Sequence, residues 1–228
     1  MVPAAGGGTR LGADRPKPYV LLRNRPILLH TLDRLGSYPS LRGLLVGIAP
    51  DDAYWATLDA HAPKLLGDYK GGVHRAQTVL NGLQALAPYA APNDWVLVHD
   101  AARPCLRHSD IDKLLAAVAG HADGGLLGVP LSDTLKRADH KGAVAETVKR
   151  DGLWRALTPQ VFPFAALRTA LQAALRAGVE ITDEASAMEY TGAHPRLVLG
   201  HADNIKITLP GDLALAELYL REQENEKR

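Results

Sequence analysis

Short apolar runs alternate with stretches of helical period through about residue 130, and this alternation restricts the chain more than any other feature. Leu41 to Ile48 reads as a strand buried on both faces, and Trp95 to His99 and Gly124 to Val129 as apolar strands, with a weaker strand near Lys64 to Leu66. Between them Pro26 to Leu35 reads as a helix, with Pro26 in its first turn and Ile27, Leu28, Thr31, Leu32 and Leu35 on one face. Pro50-Asp51-Asp52 reads as the acidic start of a second helix, and His74 to Leu86 as a third with Val79, Leu83 and Leu86 inward. Ser109 reads as the cap of a fourth, ending near Ala119. Strands that alternate with helices imply a mostly parallel, twisted sheet with right-handed crossovers, flanked by helices. The expected fold is a single Rossmann-like α/β domain over residues 1–228, with one departure.

That departure spans residues 131–157. Leu131 to Lys136 and Ala143 to Val148 read as polar-rich strands around a turn at His140-Lys141-Gly142, a protruding β-hairpin arm. A hairpin with little core of its own is marginal in water, so it leans either on its own domain or on a partner subunit. Beyond it, Phe164 to Ala177 reads as a helix ended by Gly178, and Thr182 as the cap of a helix from Asp183 to Tyr190. Arg196 to Leu199 and Asn204 to Thr208 read as short strands, Pro210 and Asp212 as the start of the last helix, and Glu222 onward as a frayed tail.

The chain begins with a stretch whose chemistry is for anions. Gly6, Gly7 and Gly8 allow close backbone approach and exposed N–H groups, and Arg10, Arg15 and Lys17 follow within a few residues. Two familiar phosphate motifs fail here. A dinucleotide fingerprint needs glycine where Leu11 stands, and a P-loop needs Lys and Ser or Thr where Ala13 and Asp14 stand. Only Met1 and Val2 precede Pro3, so the first strand is either a stub or continues upstream. In parallel sheets ligands sit beyond the carboxyl ends of the strands. The glycine loop and Asp100, which follows the strand Trp95 to His99, should therefore face one crevice.

Composition excludes several classes. A net charge of +1 gives no electrostatic case for nucleic acid or an anionic membrane surface as a partner. No apolar run approaches the ~20 residues of a membrane span, and the glycine-rich beginning lacks the apolar core of a signal peptide. Cys105 is the single cysteine, so an internal disulfide or multi-cysteine metal site is excluded, and a cytoplasmic location is the expectation.

Asp100 is a candidate Mg²⁺ ligand, since Mg²⁺ is commonly held by one or two carboxylates plus substrate phosphates. A structural role capping the next turn, with Arg103 as partner, is the alternative. Lys206 lies between Ile205 and Ile207, where an outward edge lysine is equally ordinary.

Five stretches taken together are more specific: Pro3 to Arg10 with Pro16-Lys17, Val98 to Pro104, Leu157-Thr-Pro-Gln160, Thr182 to Ser186, and Asp203 to Thr208. In this order they resemble the 2-C-methyl-D-erythritol 4-phosphate cytidylyltransferases, a family of the sugar-phosphate nucleotidyltransferases. The resemblance runs from the first residues to the last helix. It implies transfer of CMP from CTP to methylerythritol phosphate, with pyrophosphate released, in non-mevalonate isoprenoid synthesis. It also implies Mg²⁺ or another divalent cation, and a homodimer formed through the arm.

By the same resemblance, Arg10, Lys17 and Lys206 serve the reacting phosphates. Ala4, Ala5, Gly6, Gly7, Gly8, Gly72, Val73 and Thr78 bind the nucleotide, and Asp100 and Asp203 are metal-associated. Arg103, Thr134, Arg150 and Thr182 bind the acceptor, Thr134 and Arg150 from the neighbouring subunit's arm. Three positions depart from the family's usual residues: Val73 replaces an acidic residue, Thr78 a serine, and Pro18 a glutamine. Two other readings compete: a cytidylyltransferase for another polyol phosphate, such as ribitol 5-phosphate, and a nucleotide-binding regulator without turnover.

Overall fold

A computed structural model describes residues 1–6 and 15–226. The chain runs β1 (Val2–Pro3), β2 (Leu21–Leu22), β3 (Arg25–Pro26), α1 (Ile27–Gly36), β4 (Leu44–Ile48), β5 (Leu65–Lys70), α2 (Arg75–Leu86), β6 (Trp95–Val98) and α3 (His108–Val118). It continues through β7 (Gly125–Pro130), β8 (Leu135–Ala138), β9 (Val144–Val148), β10 (Trp154–Pro163), α4 (Phe164–Arg176), α5 (Glu184–Tyr190), β11 (Arg196–Leu199) and α6 (Gly211–Asn225).

Two sets of strands, ordered β5-β4-β1 and β6-β10-β7-β11, meet along β1. Met1 donates to the Leu97 carbonyl and accepts from His99 N, the pattern of a parallel pair. The result is one sheet in the order β5-β4-β1-β6-β10-β7-β11, parallel except for β10, which runs antiparallel to both neighbours. β1 is short, with Val2 opposite Val46 and Pro3 opposite Gly47, yet Val2 is fully buried between its neighbours.

The helices cover both faces. Leu28 and Leu32 of α1 and Ile111 and Leu114 of α3 share one buried cluster with β4. Val79 and Leu83 of α2 and Leu167 and Leu171 of α4 share the other with β6 and β10. α6 closes a third, smaller cluster in which Ala216 and Leu220 meet Val20, Ile27 and Ile207. These two-sided clusters are what the apolar central strands β4, β6 and β7 require. No helix among the described residues is long and apolar enough to cross a membrane.

The structure corrects several expectations. Asp51-Asp52 opens no helix beyond the single turn Trp55–Thr57, because the Asp52 carboxylate bonds the amides of Tyr54 and Trp55 and the Tyr19 hydroxyl. Ser109 is inside α3 rather than its cap, which falls at Arg107 without a side-chain bond. Through Glu226 the residues after Glu222 are not frayed: α6 reaches Asn225, Glu224 pairs with Arg23 and Glu226 with Arg107. β10 was not legible as a strand, since Thr158-Pro159 interrupts its pattern where the pairing with β7 shifts register.

The arm is a two-stranded sheet of its own, Leu135 opposite Val148 and Arg137 opposite Glu146. Its turn is closed by Asp139, which accepts from the amides of Lys141 and Ala143. Its side chains are mostly exposed. The arm ends earlier than residue 157, because Trp154 to Ala156 already pair with β7 as part of β10.

Candidate active site

Chain order reverses at β1. From β1 the sheet grows outward through β4 to β5, then the chain returns to lay β6 on the other side. Such a reversal leaves a crevice at the carboxyl ends of the strands. A cleft of about 220 Å³ lies there, lined by loops from three places in the chain.

The first wall is Pro3 to Gly6 after β1, together with Lys17 and Pro18. Ala4 N donates to the Gly47 carbonyl (2.7 Å), continuing the strand pairing. Lys17 to Tyr19 form one 3₁₀ turn, anchored where Tyr19 reaches Asp52. The second wall is Gly72 to Arg75 at the start of α2. Gly71 lets this loop close on the first: a Cβ there would stand 2.4 Å from that of Ala5. The Thr78 hydroxyl accepts from Gly72 N (3.0 Å) and donates to the His74 carbonyl (3.1 Å). It therefore shapes the loop, while Val73 is almost wholly exposed at the cleft.

The third wall is Asp100 to Ala102 after β6, with Lys206 laid against it. Residues 204–208 form no ladder, contrary to the strand read there. Ile207 N bonds the Ala102 carbonyl (2.9 Å) and the Asn204 carbonyl accepts from Arg103 (2.8 Å). With Ile207 buried, its neighbour Lys206 turns to the cleft and meets Asp100 at 3.0 Å.

Asp100 is the hub. Its Oδ1 meets Arg75 at 3.3 Å, and its Oδ2 meets Arg103 at 3.2 Å as well as Lys206. Burial opposes ionisation, but the charges of Arg75, Lys206 and Arg103 outweigh it and hold the carboxyl well below the usual carboxylate range. Behind it runs a one-way hydrogen-bond chain. Asp100 N donates to the Thr158 hydroxyl (3.0 Å), which lies 3.0 Å from His99 Nδ1, and His99 Nε2 lies 3.0 Å from the Arg103 carbonyl. A carbonyl only accepts, so Nε2 carries the proton and Nδ1 receives the threonine hydroxyl. Burial lowers His99 to about 4, leaving the ring neutral.

A cleft with cations beside an ionised carboxylate, between two glycine loops at a sheet's switch point, is suited to a polyphosphate with a metal ion. The 2-C-methyl-D-erythritol 4-phosphate cytidylyltransferase family model matches residues 1–222. The chain belongs to that family. A relative of that name from Pseudomonas aeruginosa is 54% identical over 214 residues, covering 93% of this chain and 92% of its own. One from Hahella chejuensis is 50% identical over 222 residues, covering 97% and 92%. The crystal structure of the Francisella tularensis 2-C-methyl-D-erythritol 4-phosphate cytidylyltransferase superposes with a TM-score of 0.84 at 34% identity, covering 96% of this chain and 97% of that one.

Within this family fold, the expected site residues separate into groups. Ala4, Ala5, Gly6, Lys17, Gly72, Val73, Thr78, Asp100 and Lys206 line the cleft together, and Arg103 supports it from behind. Arg10, Gly7 and Gly8 lie outside the described residues. Asp203 is not brought to the cleft: its Oδ2 bonds Arg107 (2.8 Å) and Gln223 (3.1 Å). Asp100 is thus the one carboxylate among the described lining residues, and no group of three or more His, Cys, Asp or Glu could share a metal ion among them. A single ionised carboxylate facing a polyphosphate cleft fits Mg²⁺, which takes its other oxygens from phosphates and water.

Thr182 is exposed at the entrance to α5, one residue before the true cap. Asp183 caps the helix, accepting from Ser186 N (2.9 Å) while Ser186 Oγ accepts from Asp183 N (3.3 Å). Gln160 of β10 fixes this turn, donating to Asp183 (2.8 Å) and accepting from Ala185 N (2.8 Å). Thr134 and Arg150 sit at the base of the arm, where Arg150 bonds the Ser132 carbonyl, and neither lines the cleft of its own chain.

Sequence reading missed Arg75 and Glu184. Arg75 lines the cleft and grips Glu184 with both arms of its guanidinium, while Glu184 is 1% exposed. One signal was present: Arg75 opens α2, where a cation opposes the helix dipole, so it has another reason to be there.

Proposed function

We propose that this chain transfers the cytidylyl group of CTP to the phosphate of 2-C-methyl-D-erythritol 4-phosphate, releasing pyrophosphate, in the non-mevalonate route to isoprenoids. The observation that carries the reading is the convergence of Lys17, Lys206 and ionised Asp100 on one cleft between the two glycine loops, in a chain of this family.

The chemistry needs little from the protein beyond placement and charge. A phosphomonoester has a second pKa of ~6 and is largely dianionic at neutral pH, so no general base is required. Two anions must be brought together while charge accumulates on the α-phosphate, a task for fixed cations and backbone donors. Lys17 and Lys206, from opposite walls, would hold the α-phosphate and its neighbours, joined by Arg10. The Gly6 loop and the Gly72 loop would seat the nucleotide, with Val73 packing where the family more often has an acid. Asp100 would hold a divalent cation together with the CTP phosphates. When bound, that ion neutralises phosphate charge and makes pyrophosphate a better leaving group.

Thr134 and Arg150 stand at the base of an exposed arm that buries little of itself. In this reading the chain is a homodimer, and each arm delivers the pair to the acceptor phosphate in its partner's cleft, opposite Thr182 and Arg103. A cytoplasmic setting accords with the use of CTP and with a single cysteine, Cys105, that has no disulfide partner.

Pyrophosphate release from CTP, measured with methylerythritol phosphate and with ribitol 5-phosphate, each with and without chelator, tests the reading. Release with methylerythritol phosphate that chelator abolishes is expected. Preference for ribitol 5-phosphate overturns the acceptor. Nucleotide binding without release under any condition would point to a regulator.

A further inference from the structure

The cleft's charge is set by a group that does not face it. Asp100 is surrounded by Arg75, Arg103 and Lys206, so a divalent cation must bind a carboxylate already shared among three positive charges. Arg75 differs from the other two. Its Nη1 and Nη2 both go to Glu184, and only Nη2 also touches Asp100, at 3.3 Å. Glu184 is buried among α2, α5 and β10, where Ala185 N is tied to Gln160. Burial raises its carboxyl above the usual range, against the pull of Arg75; the two-armed contact with an always-charged guanidinium is the geometry of an ion pair, and on that geometry Glu184 is assigned as the anion.

We propose that Glu184 and Arg75 form a positioning pair that holds the Asp100 carboxylate towards the cleft and withholds most of the Arg75 charge from it, leaving Asp100 able to take a divalent cation. This rests on the reading of Asp100 as the metal-associated carboxylate.

The physical reason is competition. A guanidinium neutralised by a buried carboxylate attracts a second carboxylate weakly and fixes its direction. The same guanidinium without that partner turns its full charge on Asp100, in a half-buried site where charges interact more strongly than in water. In direct ion-pair contact among the described residues, three cations meet two carboxylates. Removing the Glu184 charge leaves three against one. Removing both members leaves two against one, the original excess. Arg75 also begins α2, directly after the Gly72 loop, while Glu184 begins α5, directly after Thr182 and Asp183. The pair therefore ties the nucleotide side of the cleft to the side expected to receive the acceptor.

The experiment is Mn²⁺ binding, read by electron paramagnetic resonance in the presence of a non-cleavable α,β-methylene analogue of CTP, on full-length variants whose folding is checked by thermal melting. Glu184→Gln is expected to weaken Mn²⁺ binding about tenfold, the scale of losing a group that orients a metal ligand. The double variant Arg75→Gln with Glu184→Gln is expected to recover to within about threefold of wild type, as charge balance requires and as a purely structural role for Glu184 would not. Unchanged Mn²⁺ binding in Glu184→Gln, or a double variant weaker than the single one, overturns the proposal. If Glu184→Gln does not fold, Arg75→Lys keeps the charge and loses the two-armed grip. A similar loss is then expected, and wild-type binding there overturns the proposal. Asp100→Asn separates the two levels: if it leaves Mn²⁺ binding intact, the metal reading of Asp100 fails. If it abolishes binding while Glu184→Gln does nothing, only the positioning pair fails.

Discussion

The cluster around Asp100 and the arm beyond Leu131 both carry ion pairs, and they use them differently. At the cleft, Arg75, Arg103 and Lys206 converge on a carboxylate whose side chain is only 10% exposed, and Arg75 and Arg103 are each tied elsewhere as well, to Glu184 and to the Asn204 carbonyl. On the arm, Arg137 and Glu146 face each other across two strands at 65% and 54% exposure, with water around both. In the first setting Asp100 and Arg103 are desolvated, and the group is strongly coupled and fixed in direction. Charges in the second are screened and contribute little. The cleft is organised before substrate arrives, whereas the arm has no core of its own to hold it; in the proposed homodimer it would act against the partner's surface.

Substitutions at the two regions should separate accordingly. Lys17→Ala should have the largest effect, lowering kcat by ~10²–10³, the scale of removing one fixed charge-stabilising group; near-normal turnover in steady-state assays would take Lys17 out of the mechanism. Next comes His99, buried and neutral. Its folded value of about 4 lies below the ~6.5 of an unfolded histidine. Between those values the unfolded chain binds the extra proton, so stability is whole above the upper value and falls with pH through the window. The loss should be roughly 3 kcal/mol by its lower end. Urea unfolding across that range should be steeper in pH for wild type than for His99→Gln, and equal slopes would remove His99 as the source.

Glu184→Ala should lower unfolding free energy by about 2 kcal/mol. This is below the usual cost of breaking a buried pair, because Arg75 keeps Asp100 as a partner. On the arm, Arg150→Ala should raise KM for the acceptor about tenfold with CTP affinity unchanged, the scale of one hydrogen bond to a charged group; weaker CTP binding would misplace Arg150. The smallest effect should be Arg137→Ala, under ~1 kcal/mol in thermal or urea unfolding. A larger loss would mean the arm is a structural part of its own domain, and its contrast with the cleft would collapse.

Much of this was legible in the sequence, for identifiable reasons. The buried strands β4, β6 and β7 are continuous apolar runs, and α1 and α4 carry clear helical periods, so local pattern and final environment agree. β10 was not legible, because Thr158-Pro159 breaks its pattern where the register shifts. The segment from Asn204 to Thr208 reads as a strand by alternation, yet only part of that alternation holds: Ile207 is buried and Lys206 turns to the cleft, while Asn204 is buried as well. Its backbone pairs with a loop instead of a strand.

The glycine loop with Lys17, and Asp100 at the end of its strand, could be named from residue types and topology, because each lies in a short stretch whose chemistry is local; Lys206 could be named only through the resemblance of its stretch to the family. Asp203 could not be assigned that way, since nothing in its neighbours tells that Arg107 and Gln223 take up its Oδ2 and that it lies outside the cleft lining. Arg75 and Glu184 are 109 positions apart in sequence. Their pairing exists only because α2 and α5 pack on the same face of the sheet, against α4. Local chemistry and period were written in the sequence; which charges share a buried space, and so how strongly each acts, was decided by the fold that brings distant elements out of water together.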